Sequence, residues 1–274
     1  MIGIIVVSLI AIFAIIWIAS IPWRKRQQRA KICAEPFPTA WRHIIKRRFP
    51  YFHSMPADLQ LQLKKKIQIF VAEKEFIGCN GLVIDDDIRI TVAAQACLLL
   101  LNRRTDFYPK LKQILIYPDI FWVENQRTDP AGVVSAQKNV LSGESWEYGK
   151  VVLSWHTTVN DAADPHDGSN VVIHEFAHQL DQENGPANGA PPLRNITDYP
   201  SWSAILDKEY RTLCVQARTQ QQSLFSYYGA TNPAEFFAVV SEVFFEQPLK
   251  VNELHPELYQ ELSQFYQLDP VNWH

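Results

Sequence analysis

No Cys-x-x-Cys pair occurs in the 274 residues, and the four cysteines, Cys33, Cys79, Cys97 and Cys214, stand singly. That spacing excludes a zinc-finger framework and a dense disulfide scaffold, and it suits a reducing compartment. Any zinc is therefore expected on histidine and carboxylate rather than on thiolate. A basic excess is also missing. Lys and Arg number 26 against 29 Asp and Glu, a net charge of −3, which argues against nucleic acid as a partner. The clusters Lys46-Arg47-Arg48, Lys64-Lys65-Lys66 and Arg103-Arg104 are short and read as solvated faces. Charge of either sign is absent from the first 23 residues.

That uncharged start is an almost unbroken apolar run from Ile2 to Ile21, with only Ser8 and Ser20 polar. About 20 residues is the length that crosses a hydrocarbon core as a helix. Arg24-Lys25-Arg26 and Arg29 follow at once, so the positive-inside rule predicts an outside N-terminus and a cytoplasmic remainder. A cleaved signal peptide would carry a basic start and a small-residue A-x-A site, and neither is present. The reading is a single-pass transmembrane anchor over residues 1–22, with membrane contact through residues 2–21.

Residues 23–55 are basic and carry Pro36, Pro38 and Pro50 among aromatics, which predicts an irregular connector packed on the domain. Residues 56–274 are long enough for a sizeable core. Helical spacing recurs at Leu59, Leu63, Ile67, Phe70 and Val71, and a buried helix is expected from Asp86 to Leu101. Short β-like runs follow: Ile77 to Ile84, Ile114 to Tyr117, Phe121 to Val123 and Val133-Val134. Asp129 to Gly132 and Leu141 to Trp146 read as turns, and Val151 to Trp155 is the strongest strand. Helices are expected again over Trp202–Arg218, Ala234–Phe245 and Pro256–Phe265. The fold class is therefore α+β, a small mixed sheet followed by a mostly helical C-terminal part.

The chemistry centres on His174-Glu175-Phe176-Ala177-His178, inside the apolar stretch Val171 to Asp181. Histidines four apart on a helix differ by about 40° around its axis, so both imidazoles leave one face. Two nitrogens can then reach one Zn²⁺, with Glu175 placed to take a proton from water rather than to bind the metal. A catalytic zinc needs a third protein ligand, and the downstream candidates are Asp181, Glu235, Glu242, Glu246 and His255. The spacing H-E-x-x-H-x-x-G-x-x-H is absent, since position 184 is Asn. Glu235 leads because it opens a helix of apolar neighbours, Phe236, Phe237, Val239 and Val240, where a carboxylate needs a partner. Glu242, seven residues on and on the same face, is a second-shell residue or the rival ligand. Asp181 has a short side chain better suited to orienting a histidine ring from the second shell.

Two further expectations concern substrate. Peptidases with this motif pair an extended substrate with the edge strand of a sheet that precedes the helix. Val151 to Trp155 stands in that place, making Ser154 and Trp155 candidate substrate-binding residues. Tyr228 is either a hydrogen-bond donor to the oxyanion of a tetrahedral intermediate or a packing aromatic, and spacing alone leaves both open. In the polar loop from Asn160 to Gly168, His166 and the aspartates read as capping and solvation rather than as a cation site.

The His174–Asp181 segment, the strand Val151–Trp155 and the run Tyr228-Gly229-Ala230-Thr231-Asn232-Pro233-Ala234-Glu235-Phe236-Phe237-Ala238-Val239 together resemble the bacterial Mlc titration factor A family of zinc-dependent peptidases. The likeness runs from about Pro36 onward. It implies a zincin-like, gluzincin fold with one zinc on His174, His178 and Glu235, Glu175 as general base and Tyr228 as transition-state donor. It implies an aminopeptidase, while the apolar run and the basic residues after it predict a bacterial inner-membrane protein whose catalytic domain faces the cytoplasm. The alternative implied is a membrane-tethered regulator that binds and sequesters an Mlc-like transcriptional repressor. The apolar N-terminal segment departs from the family's soluble best-known member.

Overall fold

In the computed structural model, which describes residues 2–103, 106–119, 121–128, 134–141, 143–146 and 149–273, the apolar run is the first part of a longer helix, α1 (Ile2–Ala34). Its first two-thirds is exposed and, by length and hydropathy, able to cross a membrane. The expected irregular connector is instead helical: α1 continues through it, and α2 (Thr39–Arg48) and α3 (Tyr51–Ser54) follow. The prolines explain the difference. Pro38, Pro50 and Pro56 each sit at the N-cap of the next helix, where a missing N–H costs nothing. Ile45, Phe49, Tyr51, Phe52 and Met55 are buried in the core, so the folded unit begins well before residue 56.

Helix α4 (Ala57–Glu73) buries the predicted stripe, Leu59, Leu63, Ile67 and Phe70. Strand β1 (Glu75–Gly78) and a turn with Asn80 and Gly81 at positive φ lead to α5 (Asp86–Leu98), capped by Asp85, whose side chain accepts from the Ile88 N–H at 2.9 Å. Then come β2 (Gln113–Tyr117), β3 (Phe121–Thr128), β4 (Val134–Leu141), β5 (Gly143–Trp146) and β6 (Lys150–Ser154). The sheet order is β1-β2-β6-β5, with β1, β2 and β6 parallel and β5 antiparallel to β6. Strands β3 and β4 form a separate hairpin, pairing Phe121 with Leu141 at its base. The expected turn at Asp129 to Gly132, Val133 and Arg104 lie outside the described residues.

Most of Leu141 to Trp146, read as a turn, is strand β5, an edge of the sheet. Its polar residues Glu144 and Ser145 break the apolar signal that marks a buried strand. Consequently β6 is an interior strand with neighbours on both sides, not the edge. The strand also stops at Ser154, because Trp155 already begins α6 (Trp155–Ala163).

The helical part comprises α7 (Val171–Asp181), α8 (Tyr199–Thr219), α9 (Pro233–Glu246), α10 (Pro248–Leu254) and α11 (Pro256–Tyr266). Helix α7 runs through the middle and packs against α5, α6, α9, β5 and β6. Its far face is fixed by aromatics: the Phe176 ring lies 4.9 Å from Tyr108 and 5.7 Å from Phe70, centroid to centroid. On the other side Trp202, Phe237 and Phe265 meet at 5.3–5.8 Å and hold α8, α9 and α11 together. Truncating Phe176 to Ala leaves a cavity directly behind the two histidines. The expected cost is about 3–5 kcal/mol, measured as a lowered urea midpoint with an unchanged m-value.

Candidate active site

The site is set by two helix starts. Asn170 caps α7, its Oδ1 accepting from the Ile173 N–H at 3.0 Å, while the Val171 N–H donates to Asp161 Oδ2 at 2.8 Å. Asn232 caps α9 in the same way, its Oδ1 accepting from the Glu235 N–H at 3.0 Å, with Pro233 in the first turn. The second cap places Glu235 one turn into its helix, facing the histidines of the first.

There the three side chains meet. Glu235 Oε2 lies 3.0 Å from His174 Nε2 and 3.2 Å from His178 Nε2, and all three donor atoms fall within 4.8 Å of one another. The two imidazoles are 4.9 Å apart and nearly perpendicular. On its other nitrogen, His174 Nδ1 is 2.7 Å from Glu242 Oε1. A ring proton donated there leaves a lone pair on Nε2, which then faces a carboxylate lone pair. Such a convergence is repulsive unless a proton or a metal cation sits within it. Two imidazole nitrogens and a carboxylate oxygen, with nitrogen–oxygen separations of 3.0 and 3.2 Å against about 3.3 Å in a tetrahedral zinc site, fit a bound metal ion.

The titration behaviour reflects that geometry. Burial alone would raise the Glu235 carboxyl, but hydrogen bonds from His174 and His178 more than offset it and hold it at about 2. Burial alone would lower His174, but Glu242 and Glu235 outweigh it and push it well above the ordinary imidazole value.

Behind the histidines lies a layer of carboxylates. Glu242 Oε2 accepts from the Asn170 N–H at 2.6 Å, so one carboxylate joins the His174 ring to the start of α7. Glu246, one turn further along α9, accepts from Asn170 Nδ2 and the Gly168 N–H, each at 3.0 Å. Burial, opposed by the hydrogen bonds from Asn170 and Gly168 and reinforced by Asp167, pushes Glu246 up to about 9. Neither Asn170 nor Glu246 carries a ligand motif. The available signal was an Asn before the apolar helix and two acids spaced four apart on α9.

The other expected residues divide. Glu175 is buried on α7 next to His174, at 3% exposure. Tyr228, in the 3-10 turn Tyr227–Ala230, is 55% exposed with its ring 5.8 Å from that of His174. Asp181 is a correction: its Oδ2 accepts from the Asn188 and Gly189 N–H groups at 2.8 and 2.7 Å, so it fastens the loop after α7. It makes no hydrogen bond to either histidine among the described residues, because it lies in the last turn and points along the chain that follows. Ser154 is a second correction. It is fully buried and caps α6, accepting from the Thr157 N–H at 3.2 Å, and Trp155 packs beneath the Arg48 guanidinium. Among the described residues the edge strands of the sheet are β1 and β5, and β5 is the one beside α7. His255 is held by Glu209 at 2.8 Å, away from the cluster. In the loop before α7, Asp161, Asp164 and Asp167 each accept a backbone N–H, as caps do.

Residues 22–267 match the family described as glucose-regulated metallo-peptidase M90. An uncharacterized protein of Synechocystis sp. is 41% identical over 273 residues, 98% of each chain. Mlc titration factor A of Serratia proteamaculans is 32% identical, covering 91% of this chain and 93% of its own. Mlc titration factor A of Enterobacter sp. is 34% identical over 81% and 84%.

Replacing Glu242 with Gln removes the charge that orients His174. Metal affinity is expected to fall roughly 10–100-fold in a competition titration against a chromogenic chelator, with unfolding unchanged enough to keep the protein native at 25 °C. Glu246 makes a separate prediction about pH. Its folded value of about 9 lies above the unfolded 4.5, so its contribution to stability is complete below the unfolded value and drains away as pH rises through the folded one. Between those limits the wild type should lose up to about 1.4 kcal/mol per pH unit relative to Glu246→Gln, read from urea unfolding across the pH series.

Proposed function

The chain belongs to the glucose-regulated metallopeptidase M90 family, and from that premise we propose that it is a zinc-dependent peptidase built on a zincin-like, gluzincin fold. The observation that carries the reading is the single Glu235 oxygen shared between His174 Nε2 and His178 Nε2, with the buried Glu175 beside them. A helix bearing both histidines, a carboxylate ligand from a later helix and a sheet ahead of them support the fold assignment.

His174, His178 and Glu235 would hold the zinc, a Lewis acid that lowers the pKa of water and polarises a scissile carbonyl. Glu242 keeps the His174 proton on Nδ1, so that Nε2 presents its lone pair. Glu175 accepts a proton from the attacking water at its carboxylate and delivers it to the leaving amine, the work of a general base that then turns acid. The Tyr228 hydroxyl donates to the carbonyl oxygen as negative charge develops there. The outer edge of β5, next to α7, offers backbone N–H and C=O groups to an extended peptide, a role the sequence had assigned to the strand ending at Ser154 and Trp155.

The proposal extends to location and partners. Helix α1 is a single-pass anchor in a bacterial inner membrane, with the catalytic body in the cytoplasm. The length and hydropathy of its apolar stretch and the basic residues that follow that stretch support this. Within the peptidase reading we propose aminopeptidase action, tested by comparing cleavage of paired peptides with free and acetylated amino termini. The Mlc in the relatives' name supports a second reading, in which the chain also binds a repressor of that kind and draws it to the membrane.

Glu175→Gln is expected to retain one zinc per chain and to lose peptide cleavage by about 10²–10⁴-fold. Tyr228→Phe is expected to lower kcat by about 10²-fold with little change in KM. Zinc content by elemental analysis and steady-state peptide hydrolysis check both. Unchanged cleavage in zinc-loaded Glu175→Gln would remove the assignment.

A further inference from the structure

Where α1 leaves its apolar stretch it does not swing free. Arg29 forks onto Glu73 of α4, with Nε and Nη2 2.6 and 2.7 Å from the two carboxylate oxygens, and its Nη1 reaches Asp106 at 2.7 Å. Lys25 meets the same Asp106 at 2.8 Å. Farther along, Gln68 Nε2 donates to the carbonyls of Ile32 and Glu35, and Ile32 and Cys33 pack against the core. A bidentate fork fixes orientation as well as distance, so stalk and body form one piece.

The rigid joint sets the height of the body. At 1.5 Å per residue the apolar run spans about 30 Å, the thickness of a hydrocarbon core, which puts Ile21 at its edge. Ile21 is also a wall of a cavity of about 810 Å³ between α1 and the body, lined by Arg24 and Lys25 on one side and by Lys74, Asp106 and Lys112 on the other. The cavity therefore opens at the level of lipid headgroups. Its acids are engaged: Asp106 and Glu73 by Lys25 and Arg29, and Glu75 by Gln113 Nε2 at 2.8 Å. The Lys74 ammonium donates to the Tyr108 and Leu111 carbonyls. Among the described residues no carboxylate pairs with Arg24 or Lys112. The Arg24 guanidinium lies 4.0 Å over the Trp17 ring, and its Nη2 donates to the Trp17 carbonyl at 3.2 Å.

We propose that this cavity receives the phosphate headgroup of an anionic phospholipid of the bilayer that α1 enters, held between Arg24 and Lys112, so that the body is seated on the membrane rather than tethered above it. The proposal rests on the reading of α1 as an anchor and goes beyond it. An anionic leaflet attracts cations at this level and a guanidinium suits phosphate geometry. The segment that carries Lys112 is also tied to the end of the histidine helix. Lys110, two residues before Lys112, donates to the Gln182 carbonyl at the C-terminal end of α7.

The test places the full chain in nanodiscs of phosphatidylcholine alone or mixed with phosphatidylglycerol, and follows acylation of Lys112 by a water-soluble amine reagent with mass spectrometry. Lys208, exposed on α8 and paired with Glu257, serves as the internal reference. Phosphatidylglycerol is expected to slow Lys112 labelling by roughly fivefold relative to Lys208. Arg24→Gln or high salt should restore the rate. Equal Lys112 rates in the two discs, with the chain co-purifying with them, would overturn the headgroup site and leave the anchor standing. A chain that separates from both discs would overturn the anchor and the headgroup site together.

Discussion

Three glutamates on one helix, each turned toward the same neighbour, hold the centre of this molecule together. Glu235, Glu242 and Glu246 project from α9, meeting respectively the imidazole Nε2 atoms, the His174 Nδ1 with the Asn170 N–H, and the Asn170 side chain with the Gly168 N–H. Burying three carboxyl groups on one helix face is costly unless each finds hydrogen-bond partners, whether ionised like Glu235 or held neutral like Glu246. The histidines and the start of α7 supply those partners. Helices α7 and α9 are thereby locked in one register, and rotating either would strand charges in the core. The ligand geometry and the packing of the two helices are consequently one constraint rather than two.

The rest of the fold serves that register. Two Asn caps set where α7 and α9 begin, and so which residues face each other. The aromatic clusters around Phe176 and around Trp202 close the far sides, so the carboxylate layer sits in a dry, low-dielectric interior where its hydrogen bonds are strong. Among the described residues, the outer side of the cluster is the open one. There the half-exposed Tyr228 and the β5 edge border the space a substrate would occupy. Rigidity behind and access in front is the division of labour a hydrolytic metal site needs.

The centre was legible because its spacing is local. His174, Glu175 and His178 follow from one helical turn, and Glu235 followed from a carboxylate among Phe236, Phe237 and Val239, where burial without a partner is costly. The principal helices were equally plain from their apolar periods. What was not legible depends on pairing between distant segments. Nothing within Gly143–Trp146 marks it as an edge strand, and that single omission moved the apparent edge to β6 and substrate contacts to Ser154 and Trp155. The prolines of residues 36–56 punctuate helices as readily as they interrupt structure, and only packing of Ile45 and Phe49 distinguishes the two. Asp181 and Glu246 show the same limit from opposite sides. Both are buried acids near the motif, yet Asp181 ties down a loop and Glu246 braces the cap of the histidine helix.

The central claim is that α7 and α9 are registered so as to present two imidazole nitrogens and one carboxylate oxygen to a single metal ion. X-ray absorption at the zinc K-edge, on full-length protein loaded with one equivalent of zinc, tests it most directly. The account predicts a low-coordinate spectrum with only nitrogen and oxygen in the inner shell at about 2.0–2.2 Å, and outer-shell scattering from two imidazole rings. Sulfur scattering near about 2.3 Å, or a shell without imidazole, would contradict it.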